Sequence, residues 1–269
     1  MATEGDDAAS PLFAAKDHAA ASLFQPENLL REARRQKSIP PGNVPAICVL
    51  DPDGDIVRAV RADGQARRSP FWACYHTEMY DVDHDGETLG IVGCAVGAPF
   101  AVLLAEQMFA SGCRLLISVT SSGRIGDAVP NGGFILIDRA LRDEGTSLHY
   151  RPPERFAVAD PALIGRIDAA LARHRPKVSR GATWTTDAPF RETDTAIEAA
   201  RALGIQAVEM EAAALYSFAA ARRCAVVCFA HLTNQMARVD GDFEKGEANG
   251  AREALNLIAA TARAWRSER

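Results

Sequence analysis

Two glutamates flank a methionine where an apolar run meets an alanine-rich run, in the segment Ala-Val-Glu-Met-Glu-Ala at positions 207–212. The β-branched Val208 favours a strand before the glutamates, and residues 212–219 favour a helix after them. A carboxylate at the start of a helix interacts favourably with the helix dipole and can accept hydrogen bonds from the hydroxyl groups of a ligand. The alternative is that Glu209 or Glu211 only caps the helix. The segment alone leaves both interpretations open.

Polar residues also follow three other predicted strands. These segments are Thr120–Gly123, Thr186–Asp187 and Thr233–Asn234. In α/β sheets, ligands bind where the carboxyl ends of the strands meet. We therefore expect the three segments and the glutamate pair to converge on one site at that edge.

Four segments, taken in order, resemble the nucleoside phosphorylase superfamily, which includes purine nucleoside phosphorylase, uridine phosphorylase and related nucleosidases. They are Ile117–Gly123, Asp143–Tyr150, Thr185–Thr193 and Ala207–Leu215, within a resemblance that covers residues 43–265. The resemblance implies a pentosyltransferase of nucleoside salvage, which cleaves the N-glycosidic bond with phosphate to give free base and ribose or deoxyribose 1-phosphate. A hydrolytic nucleosidase on the same fold and a catalytically silent nucleoside-binding protein are the alternatives.

For the sugar, the resemblance implies a role for the glutamate pair. Glu211 matches the glutamate that binds the ribose 2′ and 3′ hydroxyls, and as a catalytic group it faces the cation that develops as the bond breaks. Glu209 is assigned to the same ribose site. Met210 matches a methionine that packs against the sugar, with core filling as its alternative. A histidine of a neighbouring subunit caps the 5′-hydroxyl in the family; His18 and His76 are the candidates, and a structural role is the alternative for each.

For the base, the resemblance points to three residues. Phe190 lies where the family places an aromatic ring against the base, and core packing is its alternative. Arg191 can present its guanidinium to base carbonyls, or can form a surface ion pair with Glu192 or Asp187. Asn234 occupies a position where several members have an acid; it can donate to and accept from a purine, so it is the expected catalytic contact to the leaving base.

A phosphate or water pocket is expected on the remaining side of the sugar. Its predicted residues are Asp51, Gly97, Thr120, Ser121, Ser122 and Gly123. The family sequence Gly-Asp-Pro-x-Arg is replaced here by Leu50–Gly54, and a second family arginine is replaced by Ser118. Each missing arginine removes a charge-assisted bond to phosphate of about 1.5–3 kcal/mol.

The acidic turn at positions 51–55 has two interpretations. Asp51, Asp53 or Asp55 could act as the base that activates water in a nucleosidase. The sequence Asp-Pro-Asp-Gly at 51–54 is also typical of a β-turn without any catalytic role.

Composition restricts the class of protein and its partners. The chain has 269 residues, 48% of them apolar, and a net charge of −5, which argues against nucleic acid and against anionic membranes. No apolar stretch reaches the length of about 18 residues that a membrane span needs, and the N-terminus lacks the features of a signal peptide. We expect a cytoplasmic protein that binds a nucleoside, forms a homo-oligomer by analogy with the family, and needs no metal or organic cofactor beyond phosphate as a co-substrate.

The elements predicted from the sequence alternate between strands and helices. The expected fold is α/β: a single-domain three-layer α/β/α arrangement with a central mixed sheet at 21–269, after a flexible tail at 1–20. Strands are expected at Val44–Leu50, Ile56–Val60, Phe71–Tyr80, Thr88–Cys94, Arg114–Thr120, Gly133–Ile137, Val178–Thr185 and Ala225–Leu232. Helices are expected at Pro26–Arg35, Gly97–Ala110, Pro161–Arg173, Thr195–Leu203 and 249–265. Cys48, Cys94 and Cys228 are expected in the core, and the charged segment Gly241–Gly246 is expected to be a solvated loop.

Overall fold

The computed structural model describes residues 11–14, 16–127, 129–130, 132–235, 245 and 247–267. Residues 1–10 of the predicted tail and most of the predicted loop Gly241–Gly246 lie outside the described residues. The strands are β1 Ile47–Asp51, β2 Arg67–Arg68, β3 Tyr80–His84, β4 Glu87–Gly93, β5 Leu115–Arg124, β6 Phe134–Asp143, β7 Phe156–Val158, β8 Val178–Thr186, β9 Ile205–Glu209 and β10 Ala225–Asn234. The helices are α1 Pro26–Lys37, α2 Asp55–Ala62, α3 Ala98–Ala110, α4 Pro161–Leu171, α5 Asp194–Ala202, α6 Ala212–Arg222 and α7 Ala251–Arg266.

The strands form one mixed sheet in the order β10-β6-β8-β9-β5-β1-β4-β3-β2, with β7 on the edge of β6. Strand β5 also pairs with β10, so the path β5-β10-β6-β8-β9 returns to β5 and closes into a ring. Strands β5 and β10 of this ring are buried along nearly their whole length, as expected for strands that are covered on both faces. The predicted central mixed sheet is confirmed, and its closure into a ring was not predicted.

The ring brings the carboxyl ends of several strands to one place. Gly123, near the end of β5, pairs with Val208 of β9 on one side and with Asn234 of β10 on the other. Thr185 of β8 is the register partner of Glu209. The polar segments at the ends of these strands therefore meet at one edge, as the sequence predicts.

Two groups of helices pack on the sheet. Helix α7 contacts both α2 and α4, helix α3 contacts both α1 and α6, and α5 packs beside β9. Helices α3 and α6 are apolar on nearly all sides because both lie in the core, whereas α1 and α7 carry a polar outer face. Helices α3 and α6 matter most for the site, since both begin at the edge where the strands converge.

The strand predicted at Ile56–Val60 is wrong, because these residues lie in helix α2. Val57 and Val60 face the core together with Ile56, and this spacing is that of a helix face and not the period of two of a half-buried strand. Asp55 in the first turn favours the helix through its dipole. These residues therefore form a helix despite their β propensity, because the turn before them and Asp55 favour the start of a helix.

Three further predictions about local structure are also wrong. The predicted strand Phe71–Tyr80 is mostly irregular and becomes a strand only from Tyr80. Residues 121–123, predicted as a turn after the strand, continue strand β5 because they pair with β10 and β9. Cys94 was predicted in the core but is exposed, with a positive φ of 59° directly after β4, whereas Cys48 and Cys228 are buried as predicted.

The hydroxyl of Tyr216 ties helix α6 to two strands of the ring. It donates to the carbonyl of Ile137 at 2.6 Å and accepts from the amide of Cys228 at 3.1 Å. Replacing Tyr216 by phenylalanine leaves both buried backbone groups without that partner, and we expect the free energy of unfolding to fall by roughly 2–4 kcal/mol. Urea denaturation of the variant tests this. Tyr75→Phe is the matched control, because its exposed hydroxyl bonds only Gln36 and its loss is expected to change little.

Candidate functional site

The carboxylate of Glu209 is fully used inside the protein. One oxygen accepts the hydroxyls of Thr183 at 3.0 Å and Thr185 at 2.5 Å. The other accepts the backbone amides of Glu211 and Ala212, both at 2.7 Å. Glu209 is 3% exposed. It therefore caps the start of helix α6 and anchors strand β8, which is the capping alternative that the sequence left open.

The carboxylate of Glu211 is also buried but is only half used. Its Oε1 accepts the backbone amide of Gly97 at 2.7 Å, whereas its Oε2 is buried with no hydrogen-bond partner among the described residues. A buried carboxylate oxygen without a partner is costly. Among the two glutamates, Glu211 is thus the one with hydrogen-bonding capacity left for a ligand.

Burial raises the pKa of Glu211 to about 8, and the nearby charge of Glu209 adds to the rise. The amide of Gly97 and the hydroxyl of Thr120 lower the pKa in part. Thr120 belongs to strand β5 and Gly97 precedes helix α3 with a positive φ of 97°. Glu211, Gly97 and Thr120 therefore come together from three elements, although they lie far apart in sequence.

The backbone of strand β5 meets the acidic turn beside Thr120. The amide of Ser121 donates to Asp53 Oδ2 at 3.0 Å, and Ser122 is buried with its hydroxyl directed at the carbonyl of Thr120. Lys245 Nζ lies 3.6 Å from the same Asp53 oxygen and 2.6 Å from Asp55 Oδ2. Lys245, expected on a solvated loop, is largely buried instead, and nothing in its local sequence indicates this contact.

Asp51 stabilises the turn itself. Its carboxylate accepts the amides of Gly54 at 3.2 Å and Val57 at 2.9 Å. Burial raises the pKa of Asp51 to about 7, opposed by the bond from Val57. These contacts are those expected of an aspartate that stabilises a β-turn, which is one of the two interpretations considered for this segment.

A small cavity of about 20 Å³ lies beside this turn, which is close to the space that one water molecule occupies. It is lined by carboxylates of the turn, by Thr120 and Ser121, and by His231. His231 stacks on Phe134 with ring centroids 4.5 Å apart, and burial lowers its pKa to about 4. The imidazole is therefore neutral at pH 7, and Lys245 is the cation that faces Asp53.

Asn234 lies half-buried at the end of strand β10, beside Gly123. Its Nδ2 donates to the hydroxyl of Thr233 at 3.3 Å. Met210, between the two glutamates, is half-buried. These positions put an amide and a thioether at the same edge as Glu211.

The other residues predicted for the base are open to solvent. Phe190 is 99% exposed, on a short 3-10 turn at Pro189–Arg191, and Arg191 is exposed as well. Core packing, the alternative considered for Phe190, is therefore wrong. In this chain alone, nothing among the described residues covers either side chain.

The two candidate histidines contact other parts of the chain. His18 is half-buried, and its Nε2 contacts the carbonyl of Leu148 at 3.2 Å. His76 is exposed and meets Phe100 edge-on, with ring centroids 6.4 Å apart. Phe100 belongs to the first turn of α3, so His76 lies on the side of the molecule where that helix begins.

A larger cavity of about 610 Å³ runs along helix α3. One wall consists of the N-terminal segment that includes Phe24, and the other includes Tyr150 and Asp187. Glu106 accepts the Tyr150 hydroxyl and the Arg222 guanidinium, each at 3.0 Å. This cavity borders the segment Asp143–Tyr150, whose Gly145 amide donates to Asp187.

The described residues contain no group of three or more histidine, cysteine, aspartate or glutamate side chains that could hold a metal ion. None of the described helices combines the length and the apolar character needed to cross a membrane.

Two relatives align with more than three-quarters of this chain. The guanosine phosphorylase of Halorubrum lacusprofundi is 26% identical over 213 residues, which cover 78% of this chain and 79% of that enzyme. The uridine phosphorylase of Thermococcus kodakarensis is 27% identical over 235 residues, which cover 77% of this chain and 84% of that enzyme.

A solved structure and a family model agree with these relatives. The uridine phosphorylase of Vibrio fischeri superposes with a TM-score of 0.68 at 22% identity, over 82% of this chain and 92% of that one, and thereby confirms the fold. The model of the phosphorylase superfamily matches residues 46–264. The chain, with its closed mixed sheet and its buried Glu211 at the strand edge, therefore belongs to the phosphorylase superfamily.

Proposed function

We propose that this protein cleaves the N-glycosidic bond of a nucleoside by phosphorolysis, releasing the base and a pentose 1-phosphate. The observation that carries the proposal is the buried Glu211 carboxylate, at the edge where the strands converge, which has one oxygen without a hydrogen-bond partner among the described residues. The activities of the two phosphorylase relatives support phosphate as the second substrate.

In the proposed reaction, Glu211 accepts hydrogen bonds from the sugar hydroxyls and stabilises the positive charge that develops on the sugar. Glu209 has no free lone-pair direction towards a ligand, so we propose that it positions Glu211 through the start of α6. Met210 would pack against the sugar, and Asn234 would contact the leaving base. Neither a metal ion nor an organic cofactor is needed for these roles.

We propose that Thr120, Ser121, Ser122 and Gly123, together with Gly97 and Asp51, surround the nucleophile. The Ser121 amide is the donor that faces this region, while Gly97 and Asp51 act through the contacts that shape it. We propose that Phe190 and Arg191 contact the base when the exposed 3-10 turn that carries them is covered on binding.

The test is a panel of purine and pyrimidine ribonucleosides and deoxyribonucleosides, incubated with and without phosphate. Chromatography then measures free base and the sugar product. Base release that requires phosphate, with pentose 1-phosphate formed in equal amount, is the expected result. Release of free sugar without phosphate would contradict phosphorolysis, and no release from any nucleoside would favour a silent binding protein.

Hydrolysis is the second candidate, and one feature of the nucleophile pocket favours it. The position of each family arginine is uncharged here, at Gly54 and Ser118. Asp53 instead places a carboxylate on the Ser121 amide, beside a cavity with room for one water. A carboxylate in that place could take a proton from water.

The raised pKa of Glu211 leads to a prediction about pH. The carboxylate must be ionised to stabilise a cation, and its pKa is about 8 in the free protein. We expect kcat/KM to rise about tenfold per pH unit below that pKa and to level off above it. A pH profile of kcat/KM for the best nucleoside of the panel measures this, and a profile that is flat or falls between pH 6 and 8 would contradict the role of Glu211.

We also propose that the protein forms a homo-oligomer that covers part of the open site. Phe24 and Leu103 line the large cavity and are 72% and 40% exposed. Phe190 is also exposed, and it lies close in sequence to Asp187, which lines the same cavity. Apolar side chains grouped in this way are typical of subunit contacts. His76 is the candidate to reach a neighbouring site, and light scattering after gel filtration tests the oligomer. The cytoplasmic location stays a prediction from the sequence.

A further inference from the structure

The nucleophile end of the site already holds an anion that belongs to the protein. Asp53 Oδ2 accepts the Ser121 amide at 3.0 Å and lies 3.6 Å from Lys245 Nζ. An amide and an ammonium group are donors that bind oxyanions well. We propose that Lys245 and the Ser121 amide form the phosphate-binding site, and that the Asp53 carboxylate occupies this site until phosphate displaces it. The inference rests on the proposed phosphorolysis.

Lys245 provides a positive charge that the described residues lining the pocket lack. Gly54 and Ser118 hold none, and His231 is neutral at pH 7 because burial lowers its pKa. Arg58 is 59% exposed and bonds Asp55 and the carbonyl of Asp53. Lys245 is 17% exposed and is therefore the more buried of these two cations. Its Nζ contacts the Asp53 oxygen that accepts the Ser121 amide.

The geometry allows one phosphate ion to use both donors. The Ser121 amide and the Lys245 ammonium contact the same oxygen of Asp53, so they lie on two sides of one anion position. A phosphate has oxygens on all sides of the phosphorus and can accept from both donors at once. The adjoining cavity of about 20 Å³ holds a water and not a phosphate, so Asp53 must move when phosphate enters.

Asp55 keeps Lys245 in place when Asp53 moves away. Its Oδ2 holds Lys245 Nζ at 2.6 Å, and its Oδ1 accepts the amide of Asn249 at 3.1 Å. Asp55 lies in the first turn of α2 and is about nine-tenths buried. The ammonium is thus anchored independently of Asp53, and the two aspartates have different roles.

The test measures the binding of inorganic phosphate directly, by calorimetric titration at constant ionic strength and without nucleoside. Asp53→Asn removes the competing charge, and we expect phosphate to bind at least about tenfold more tightly than in the unmodified protein. Asp53→Ala, which also removes the oxygen, is expected to bind at least as tightly as Asp53→Asn. Lys245→Met is expected to weaken phosphate binding by about tenfold or more.

The matched control is Asp83→Asn, which removes a carboxylate from the exposed ion pair with Arg67 and is expected to leave phosphate affinity unchanged. Thermal melting of each variant shows that it is folded. Unchanged or weaker phosphate binding in both Asp53 variants would overturn the proposal, as would unchanged binding in Lys245→Met. Nucleoside cleavage is measured separately in the same variants, so a hydrolase would be recognised by phosphate-independent cleavage, whatever the titration gives.

Discussion

Replacing Glu211 by glutamine is expected to lower kcat/KM about 10²–10³-fold, since the charge that faces the developing cation is lost. Glutamine keeps the size of the side chain and an oxygen for the Gly97 amide. The fold is therefore expected to survive. Steady-state kinetics of the nucleoside that is cleaved best measures the effect. Glu198→Gln on the exposed side of α5 is the matched control and should retain full activity.

The same variant should also change how stability depends on pH. The pKa of Glu211 is raised from 4.5 to about 8, so the folded chain retains a proton that the unfolded chain has released over this range. Folded protein therefore loses stability as the pH rises from about 4.5 to about 8. Glutamine cannot ionise, and the variant should melt at a higher temperature than the unmodified protein at pH 9. Loss of activity without this gain would indicate that Glu211 is more exposed to water than its contacts suggest.

The second large effect is expected at Glu209, and it concerns the fold. Glu209→Ala removes the acceptor of the Glu211 and Ala212 amides and of two threonine hydroxyls. An unsatisfied buried donor costs about 1–3 kcal/mol, so we expect the free energy of unfolding to fall by roughly 2–6 kcal/mol for the two amides. Urea denaturation measures the change.

Thr183→Val is the matched control for Glu209, because it removes only one of the four donors and should cost less. A Glu209→Ala variant with normal stability but weakened nucleoside binding would contradict the capping role. It would return Glu209 to the ribose site that the family resemblance implies. Although the two glutamates are only two residues apart, we expect the Glu211 variant to lose activity and the Glu209 variant to lose stability.

Much of the fold follows from local patterns. Helices α1, α3 and α4 begin at or next to a proline, and strands β1 and β10 begin as apolar runs and end in polar residues. These signals act within a few residues, so the sequence alone displays them. Ile56–Val60 shows the limit of such reasoning, because its β-branched residues favour a strand by type whereas their spacing is that of a helix.

The residues of the site could be predicted from the sequence in outline, but the separate roles of the two glutamates could not. Sequence places Glu209 and Glu211 together, and only the threonines of β8 reveal which one is already bound by the protein. These threonines lie 26 and 24 positions earlier in the chain. Lys245 could not be predicted for the same reason, since its partner Asp55 is 190 positions away. Contacts of this separation depend on the closed sheet rather than on local sequence.

Gly54 has a consequence for attempts to redesign this loop. Its φ is 79°, and a Cβ atom there would lie 2.6 Å from Cys94 Sγ and 2.9 Å from Arg58 Nη1. Gly54 stands where the family sequence has its arginine, so that arginine cannot simply be reinstated: any side chain would be strained in this backbone and would collide with Cys94. Placing an arginine at this position would require coordinated changes at Gly54 and Cys94, which lie in two separate loops. A single substitution at Gly54 therefore does not rebuild the arginine-containing type of phosphate loop.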